Sequence, residues 1–251
     1  MMGWITSWKR VLPSLIVILG ASAAPSAWAQ EQDAGFINVR VIQVKPDRIA
    51  EWEELQKEMS AAMKKAGATR HIWQVARGGI DTYHIVTYVS ELGANDEPAE
   101  NPLGATRFAA WAGRVGQCVG DRQVLVLRRY PDLTIPMKDG ATPNLMLLAL
   151  RTTEPDGRTE YADYLRDQFV PALKKAKVDG FYVSRVFAGD SPDTWVVANM
   201  VDKWSDFDTP HPIIETLGQE AGAKVFAGLS PMMERRENVL LSYREDLSAL
   251  P

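Results

Sequence analysis

The sequence predicts an α+β fold of two similar units in tandem, each with the order strand, helix, strand, strand, helix, strand. One observation behind this is an internal repeat with a period of about 110 residues. A second is the spacing of apolar residues, which alternates between the period of a strand and that of a helix along each repeat. A third is an apolar N-terminal segment that lies outside both repeats and has the features of a cleavable signal peptide. Its removal would leave the two repeats as the mature protein.

The repeat rests on four pairs of segments that occur in the same order in both halves. They predict one unit over residues 36–135 and another over residues 144–248, joined by a linker over 136–143 that contains Asp139-Gly140. The matching pairs are Lys45-Pro46-Asp47 with Glu154-Pro155-Asp156, Ala62–Ala66 with Ala172–Ala176, Asp81-Thr82-Tyr83 with Asp193-Thr194-Trp195, and Asp132-Leu133 with Asp246-Leu247.

In the first unit, a strand rich in Val and Ile is predicted over 36–44, and Asp47 can cap the helix that follows. Two further strands are predicted over 71–76 and 83–89, then a second helix and a closing strand over 124–127. The helical spacing of three and four is carried by Ile49, Trp52, Leu55, Met59 and Met63, and by Phe108, Trp111 and Val115.

In the second unit, strands are predicted over 145–150, 181–187, 195–201 and 239–243. One helix is predicted from about Thr159 to Ala176 and another from Ile213 to Gly228. Pro171 falls inside the first of these helices and predicts a kink or a restart there, because proline lacks the N–H that a continuous helix needs.

The N-terminus has the features of a cleavable signal peptide over residues 1–29. Lys9 and Arg10 precede an apolar run, 11–19, that is short for a membrane span, and Ala27-Trp28-Ala29 predicts cleavage before Gln30. We therefore expect an exported protein, periplasmic or extracellular, with no stable membrane anchor after cleavage. Cys118 is the only cysteine, so no intramolecular disulfide can form.

Composition and motifs exclude several classes of function. The net charge of −4 and the lack of basic clusters argue against nucleic-acid binding. No glycine-rich phosphate loop and no nucleophile elbow are present, so a nucleotide cofactor has no support. The three histidines, His71, His84 and His211, fall in separate elements without metal-pair spacing. We expect no cofactor and no metal.

The predicted order of elements is that of a ferredoxin-like unit, whose four-stranded sheet carries both helices on one face. Two such sheets in one chain can cover each other. In this respect the sequence resembles the dimeric α/β-barrel superfamily in its fused, tandem form. That superfamily includes antibiotic-biosynthesis monooxygenase-like, NIPSNAP-like, EthD-like and haem-degrading proteins. The resemblance implies that the two antiparallel sheets pack into an α/β barrel, and it implies fold more than function.

Strand alternation divides the residues of each strand between two faces. On the first strand, the apolar face of Ile37, Val39 and Val41 is expected to pack on the helices. The polar residues Asn38, Arg40, His84 and Tyr88 are then expected to point between the sheets. The corresponding positions of the second unit are the apolar residues Leu147, Ala149, Val196 and Met200. This difference predicts a pocket between the sheets with polar groups on one side only.

These residues are the candidates for chemistry. His84 is the candidate general base, since the pKa of histidine is near neutrality, and Asn38 and Arg40 are candidate hydrogen-bond donors. Trp73 and Tyr88 are candidate pocket residues, with the Trp73 indole as a stacking wall for a planar ligand. His211, between two prolines, is expected to belong to a rigid helix entrance.

Four functions stay open at this point. The first is binding of a small apolar or aromatic molecule between the sheets, without catalysis. The second, which the resemblance allows, is a cofactor-independent monooxygenase or isomerase. The third is haem binding or degradation. For this the resemblance implies an Asn at the end of the first strand and a His on the second helix, and neither is matched by Asn38 or by the helix from Phe108 to Cys118. The fourth is an assembly module, in which the fused barrel mainly assembles with other exported proteins; self-association is also open.

Overall fold

The computed structural model describes residues 35–96, 101–138 and 143–250. The predicted signal peptide, residues 1–29, and part of the predicted linker lie outside these ranges. Within them, no helix combines the length and the apolar character that crossing a membrane requires. The export and linker assignments therefore stay predictions.

The first unit has the predicted order of elements. Its first helix, α1 (Ile49–Lys65), buries Trp52, Leu55, Met59 and Met63 on one stripe, and Gly67, with φ of 70°, follows its end. The strands are β1 (Phe36–Val44), β2 (His71–Val75), β3 (Thr82–Val89) and β4 (Val119–Arg129), and the helices are α1 (Ile49–Lys65) and α2 (Ala105–Cys118).

The second unit repeats this order with its helices divided into shorter pieces. The strands are β5 (Leu145–Thr152), β6 (Phe181–Ala188), β7 (Thr194–Val201) and β8 (Arg235–Tyr243). The helices are α3 (Gly157–Tyr164), α4 (Val170–Lys175), α5 (Pro212–Leu217) and α6 (Gln219–Leu229).

A π-helical turn, Leu165–Phe169, joins α3 to α4. It ends just before Pro171, which occupies the first turn of α4. The ring of a proline clashes with the carbonyl group four residues earlier, and a wider turn at this point relieves the clash. The predicted restart of the helix at Pro171 is thereby confirmed.

The single helix predicted from Ile213 to Gly228 is wrong, because the structure divides it into α5 and α6 at Gly218. Gly218 has φ of 83°, a left-handed conformation that favours glycine and ends α5. The two pieces then pack closely: a Cβ on Gly222 would lie 2.8 Å from Ile214 Cα. The apolar spacing alone did not indicate this break. The glycine residues within that spacing were the signal for it.

The eight strands form one closed antiparallel barrel in the order β1-β3-β2-β8-β5-β7-β6-β4. Each unit contributes four neighbouring strands, and two short ladders join the units. At one junction β2 pairs with β8, from Trp73 opposite Tyr243 to Val75 opposite Leu241. At the other β4 pairs with β6, from Val126 opposite Ala188 to Arg129 opposite Ser184. The predicted α+β fold of two ferredoxin-like units packed into a barrel is confirmed.

Each sheet is therefore buried on both faces. Outside the barrel, the helices of the first unit pack around Trp52 and Trp111, and those of the second unit around Tyr161 and Leu173. Inside the barrel lie two further apolar clusters, which contain residues of both units, among them Val39, Leu127, Val186, Val196, Met146 and Leu241.

Replacing Trp52 by Ala tests the helix-side core of the first unit. Trp52 is fully buried, with its ring 4.3 Å from that of Tyr83, so the truncation leaves a large void. We expect a loss of about 3–5 kcal/mol in the free energy of unfolding, measured by urea titration. Trp204, 47% exposed, is the matched control, and its replacement by Ala is expected to cost less than about 1 kcal/mol. Equal losses at the two sites would contradict the described packing.

Candidate functional site

The barrel encloses a cavity of about 310 Å³, to which all eight strands contribute side chains. Because successive residues of a strand point to opposite faces, every second residue of each strand reaches this interior. Most of the wall is aliphatic, as at Val39, Leu127, Leu148, Val196 and Leu241. The volume is at the lower end of the range seen for small-molecule sites.

Three of the five predicted site residues lie on the wall of this cavity. Two of them, His84 and Tyr88, come from β3, and Trp73 comes from β2. Trp73 is the register partner of His84 in the β2–β3 ladder, so the indole and the imidazole stand side by side on the inner face. Their functional roles stay predictions.

The expected orientation of Asn38 and Arg40 is wrong. The residues of β1 that line the cavity are Ile37, Val39 and Val41, and Asn38 and Arg40 alternate with them on the outer face. Asn38 and Arg40 therefore cannot act together with His84 on one molecule inside the barrel.

Arg40 lies on the outer face of β1 close to other cations. Burial lowers the pKa of its guanidinium, and the positive charge of Arg122 lowers it further. Arg40 also lies near Arg70, whose guanidinium donates hydrogen bonds to Gln56 Oε1 (3.2 Å) and to Ser60 Oγ (2.8 Å) of α1. The polar side of β1 thus faces a polar patch beneath α1, while its apolar side faces the interior.

The same reversal occurs on β5. Leu147 and Ala149 were expected between the sheets, but they face the helices of the second unit, and Met146, Leu148 and Leu150 line the cavity instead. On β7 the expected inner residues, Val196 and Met200, do line it. A strand that is buried on both faces has no solvent side, so alternation alone does not tell which face is inside.

His84 is the most unusual group of the cavity wall. Only 8% of its surface is exposed, and no hydrogen bond of its ring is found among the described residues. Burial lowers the pKa of the imidazole to about 4, so the ring is neutral at physiological pH. A neutral imidazole has one donor and one acceptor nitrogen, and both are available to a molecule in the cavity.

One end of the cavity carries a cluster of aromatic and basic groups, of which the sequence predicted only Tyr88 as a pocket residue. The hydroxyl group of Tyr243 lies 3.3 Å from Nδ1 of His71, and the rings of His71 and Tyr88 are 5.8 Å apart. The guanidinium of Arg129 lies 5.7 Å from the centre of the Tyr88 ring. His71 could have been found from its position two residues before Trp73, which places both side chains on one face of β2.

The other end of the cavity carries polar and acidic side chains. Gln123 of β4 donates a hydrogen bond to Asp190, at 3.2 Å, and Glu237 of β8 forms a 2.9 Å ion pair with Arg235. Gln123, Asp190 and Glu237 are exposed to solvent as well as lining the cavity. This end is therefore the wetter of the two.

A second cavity, of about 640 Å³, lies outside the barrel between the sheet and the helices of the second unit. The π-helical turn contributes Leu165 and Phe169 to its wall. At the corresponding place in the first unit, Trp52, Tyr83 and Trp111 are packed together. Apart from Pro171, no feature of the sequence indicated this difference between the units.

Tyr161 and Arg151 are the polar groups of interest in this second cavity. Tyr161 is 2% exposed, and no hydrogen bond of its hydroxyl group is found among the described residues. Burial raises the pKa of Tyr161 to about 12, against the opposing charge of Arg151. Arg151 donates hydrogen bonds to the carbonyl oxygen of Glu237 (2.8 Å) and to Asn238 Oδ1 (2.7 Å). The second cavity therefore holds an available phenol beside a positive charge.

His211 also lines the second cavity, at the start of α5, where a helix entrance was predicted. Its Nδ1 accepts a hydrogen bond from the N–H of Ile213, at 3.2 Å, and burial lowers the pKa of its ring. A neutral imidazole that accepts at Nδ1 carries its proton on Nε2, so Nε2 has no lone pair for iron. In this arrangement His211 does not fit the role of a haem ligand.

The described part of the chain contains no group of three or more His, Cys, Asp or Glu side chains placed to hold a metal ion.

The similarity of this chain to known proteins is found in the structure and not in the sequence. No family model matches the sequence, and no curated protein matches it. Among solved structures, a proposed monooxygenase from Lactobacillus acidophilus is similar with a TM-score of 0.59 and 13% identity, over 86% of this chain and 96% of the other. A proposed monooxygenase from Fusobacterium nucleatum gives 0.58 and 12%, over 84% and 92%. Chlorite dismutase from Candidatus Nitrospira defluvii gives 0.51 and 10%, over 86% and 93%.

The structure and these likenesses define the class of protein. The chain has the dimeric α/β-barrel fold in its fused form, with both halves of the barrel in one polypeptide. At such low identities the likeness shows the fold alone, so activity has to be argued from the cavities.

The buried imidazole predicts a pH dependence of stability. Its pKa is about 4 in the folded chain against 6.5 as the ordinary value, so between these values the unfolded chain binds more protons. The free energy of unfolding therefore keeps its full value with respect to His84 above about pH 6.5. It falls by an amount of order 3 kcal/mol as the pH is lowered towards 4. Urea unfolding at a series of pH values measures it.

The matched variants for this measurement are His84→Leu and His211→Asn. The first removes the buried imidazole and is expected to flatten the dependence between pH 4 and 6.5. The second keeps a capping acceptor at the start of α5 and is expected to leave most of the dependence in place. An unchanged slope in His84→Leu would show that His84 is not the group responsible.

Proposed function

We propose that this protein binds a small, largely apolar or aromatic organic molecule inside its barrel. The single observation that carries this proposal is the neutral imidazole of His84, which faces an apolar cavity without a hydrogen-bond partner among the described residues. A buried polar group left without a partner costs about 1–3 kcal/mol. A ligand that forms this hydrogen bond removes that cost.

The size and lining of the cavity support a bound molecule. The cavity of about 310 Å³ is lined mostly by aliphatic side chains, and contact of such surface with water is unfavourable. Water is a poor filling, because a buried water molecule needs two to four polar partners and most of this wall is aliphatic. An apolar molecule gains the transfer free energy and the contacts that water does not.

Location and assembly belong to the same proposal. The signal-peptide pattern of residues 1–29 supports a role outside the cytoplasm, in the periplasm or the extracellular space. Self-association is supported by exposed apolar side chains on the outside of the β4–β6 junction, Val124 and Phe187. Binding inside the barrel depends on neither.

Thermal unfolding with a panel of small aromatic and alicyclic compounds tests the binding function. A ligand present at 100 times its Kd stabilises the folded state by about 2.7 kcal/mol, which raises Tm by several degrees. We expect Ala198→Phe, which places a ring in the cavity, to abolish the increase. Val124→Phe, on the exposed outer surface, is the control and is expected to keep it. An increase that survives in Ala198→Phe would place the ligand elsewhere.

The second cavity favours a second candidate function, a cofactor-independent oxygenase. The available hydroxyl group of Tyr161 and the charge of Arg151 could stabilise an oxyanion that forms on a substrate. Three similar structures support this candidate: the two proposed monooxygenases and an anthrone oxidase-like protein, with a TM-score of 0.56 and 11% identity over 87% of this chain and 94% of the other. His84, inside the barrel, would not contact a substrate in the second cavity.

Oxygen consumption in the presence of anthrone tests this candidate. If the second cavity is catalytic, Tyr161→Phe is expected to lower kcat by about 100-fold, which is typical for the loss of one donor to an oxyanion. Tyr164→Phe removes a hydroxyl group from the same helix, one that already donates to the Val225 carbonyl oxygen at 2.9 Å, and is expected to keep kcat within about twofold. No consumption by the wild-type protein, or equal loss in both variants, would reject an anthrone oxygenase at this site.

A further inference from the structure

We propose that the barrel cavity selects uncharged single-ring compounds that carry one hydroxyl or carbonyl group, and that His84 is the residue that determines this specificity. This inference rests on the binding function proposed above and names the class of ligand. Four features of the cavity lead to it: its volume, the position of its charged groups, the state of His84 and the position of Trp73.

The volume limits the size of the ligand. A water molecule takes about 30 Å³ in the liquid, so a cavity of about 310 Å³ has the space of roughly ten waters. At the density of a packed organic interior, this corresponds to roughly ten to fifteen non-hydrogen atoms. One ring with short substituents fills such a space, whereas a fused polycyclic compound or a long acyl chain exceeds it.

The charged groups of the wall disfavour a charged ligand. In the described part of the cavity they stand at its ends, with Arg129 at one end and Asp190 and Glu237 at the other. Each is already engaged: Arg129 with the ring of Tyr88, Asp190 with Gln123, and Glu237 with Arg235. A carboxylate or an ammonium group in the apolar middle would lose its hydration without gaining a counter-ion, which is strongly unfavourable.

His84 requires one polar group on the ligand. Its ring lies on the middle strand of the three that form one side of the wall, β1, β3 and β2. A neutral imidazole offers one donor and one acceptor. A hydroxyl group of the ligand can pair with either of them, whereas a carbonyl group can only accept a hydrogen bond from the donor. A compound without such a group leaves the ring unpaired, and each further polar group of a ligand meets a wall that is mostly aliphatic.

Trp73 favours a ring as the body of the ligand. The indole is register partner to His84 and lines the cavity beside it. Residues of the second unit complete the wall, both aliphatic ones such as Leu148 and Val196 and the hydroxyl-bearing Ser184 and Thr194. A flat ring that reaches His84 with its polar group therefore lies next to the indole, where aromatic contacts add to the burial of apolar surface.

The test uses four probes that share the toluene skeleton: p-cresol, toluene, 4-methylbenzoate and 4-methylbenzylamine, each titrated into the full-length mature protein by calorimetry at pH 7. We expect p-cresol to bind at least about tenfold more tightly than toluene, and the two charged probes to bind at least about tenfold more weakly than p-cresol. In His84→Leu, the preference for p-cresol over toluene is expected to fall to within about twofold. His84→Gln keeps a donor and an acceptor and is expected to retain most of the preference.

The outcomes separate this inference from the proposed function. Equal binding of p-cresol and toluene by the wild-type protein, or a preference that persists in His84→Leu, overturns the specificity and leaves binding in the barrel intact. Binding of the carboxylate or the amine as tightly as p-cresol also overturns it. If no compound of the wider thermal-unfolding panel binds, the proposed function itself fails. The wild-type comparison of probes decides the question even if His84→Leu does not fold.

Discussion

Two short ladders, β2 with β8 and β4 with β6, join the edges of two sheets that would otherwise end in unpaired backbone groups. Everything inside the barrel depends on this pairing. It removes the four free edges, brings the inner faces together and creates an interior that neither sheet encloses alone. It also explains why every strand is apolar on at least one side and why several, β1 and β5 among them, are buried on both.

The order of elements could be predicted from the sequence because the repeat and the periodicities are local signals. The face that each strand turns inward could not be predicted for β1 or β5. A strand between a barrel interior and a layer of helices contacts protein on both sides, and Arg40 on the outer side finds a polar patch near Arg70 that alternation does not show. On β3, the residues predicted to face inward, His84 and Tyr88, do line the cavity, because the buried Tyr83 and Ile85 on the opposite face of the strand fill the core under the helices.

The two units differ more in packing than in fold. In the first, Trp52, Tyr83 and Trp111 fill the space between sheet and helices. In the second, the π-helical turn before Pro171 and the break at Gly218 divide the helices, and a large cavity lies beneath them. Whether side chains fill the space between a sheet and its helices depends on how the helices pack on the sheet, which is a tertiary property. The sequence therefore predicted neither this cavity nor the position of Tyr161 on its wall. The predicted division of the interior into a polar and an apolar half is wrong, because the second unit also contributes polar side chains to the wall, among them Tyr182, Ser184 and Thr194.

The location of the barrel cavity has a consequence for how the protein could have arisen. Its wall takes residues from both units, Trp73 and His84 from one and Leu148 and Val196 from the other. A chain of half this length would enclose such an interior only as a dimer. Two identical copies would then place the same residues on both sides of it. Joining the halves in one polypeptide removes that symmetry. One side of the interior then carries an imidazole that has no counterpart opposite, where the second unit contributes Leu148 and Val196 together with the hydroxyl groups of Ser184 and Thr194. A ligand inside the barrel therefore meets two different walls, which can orient it.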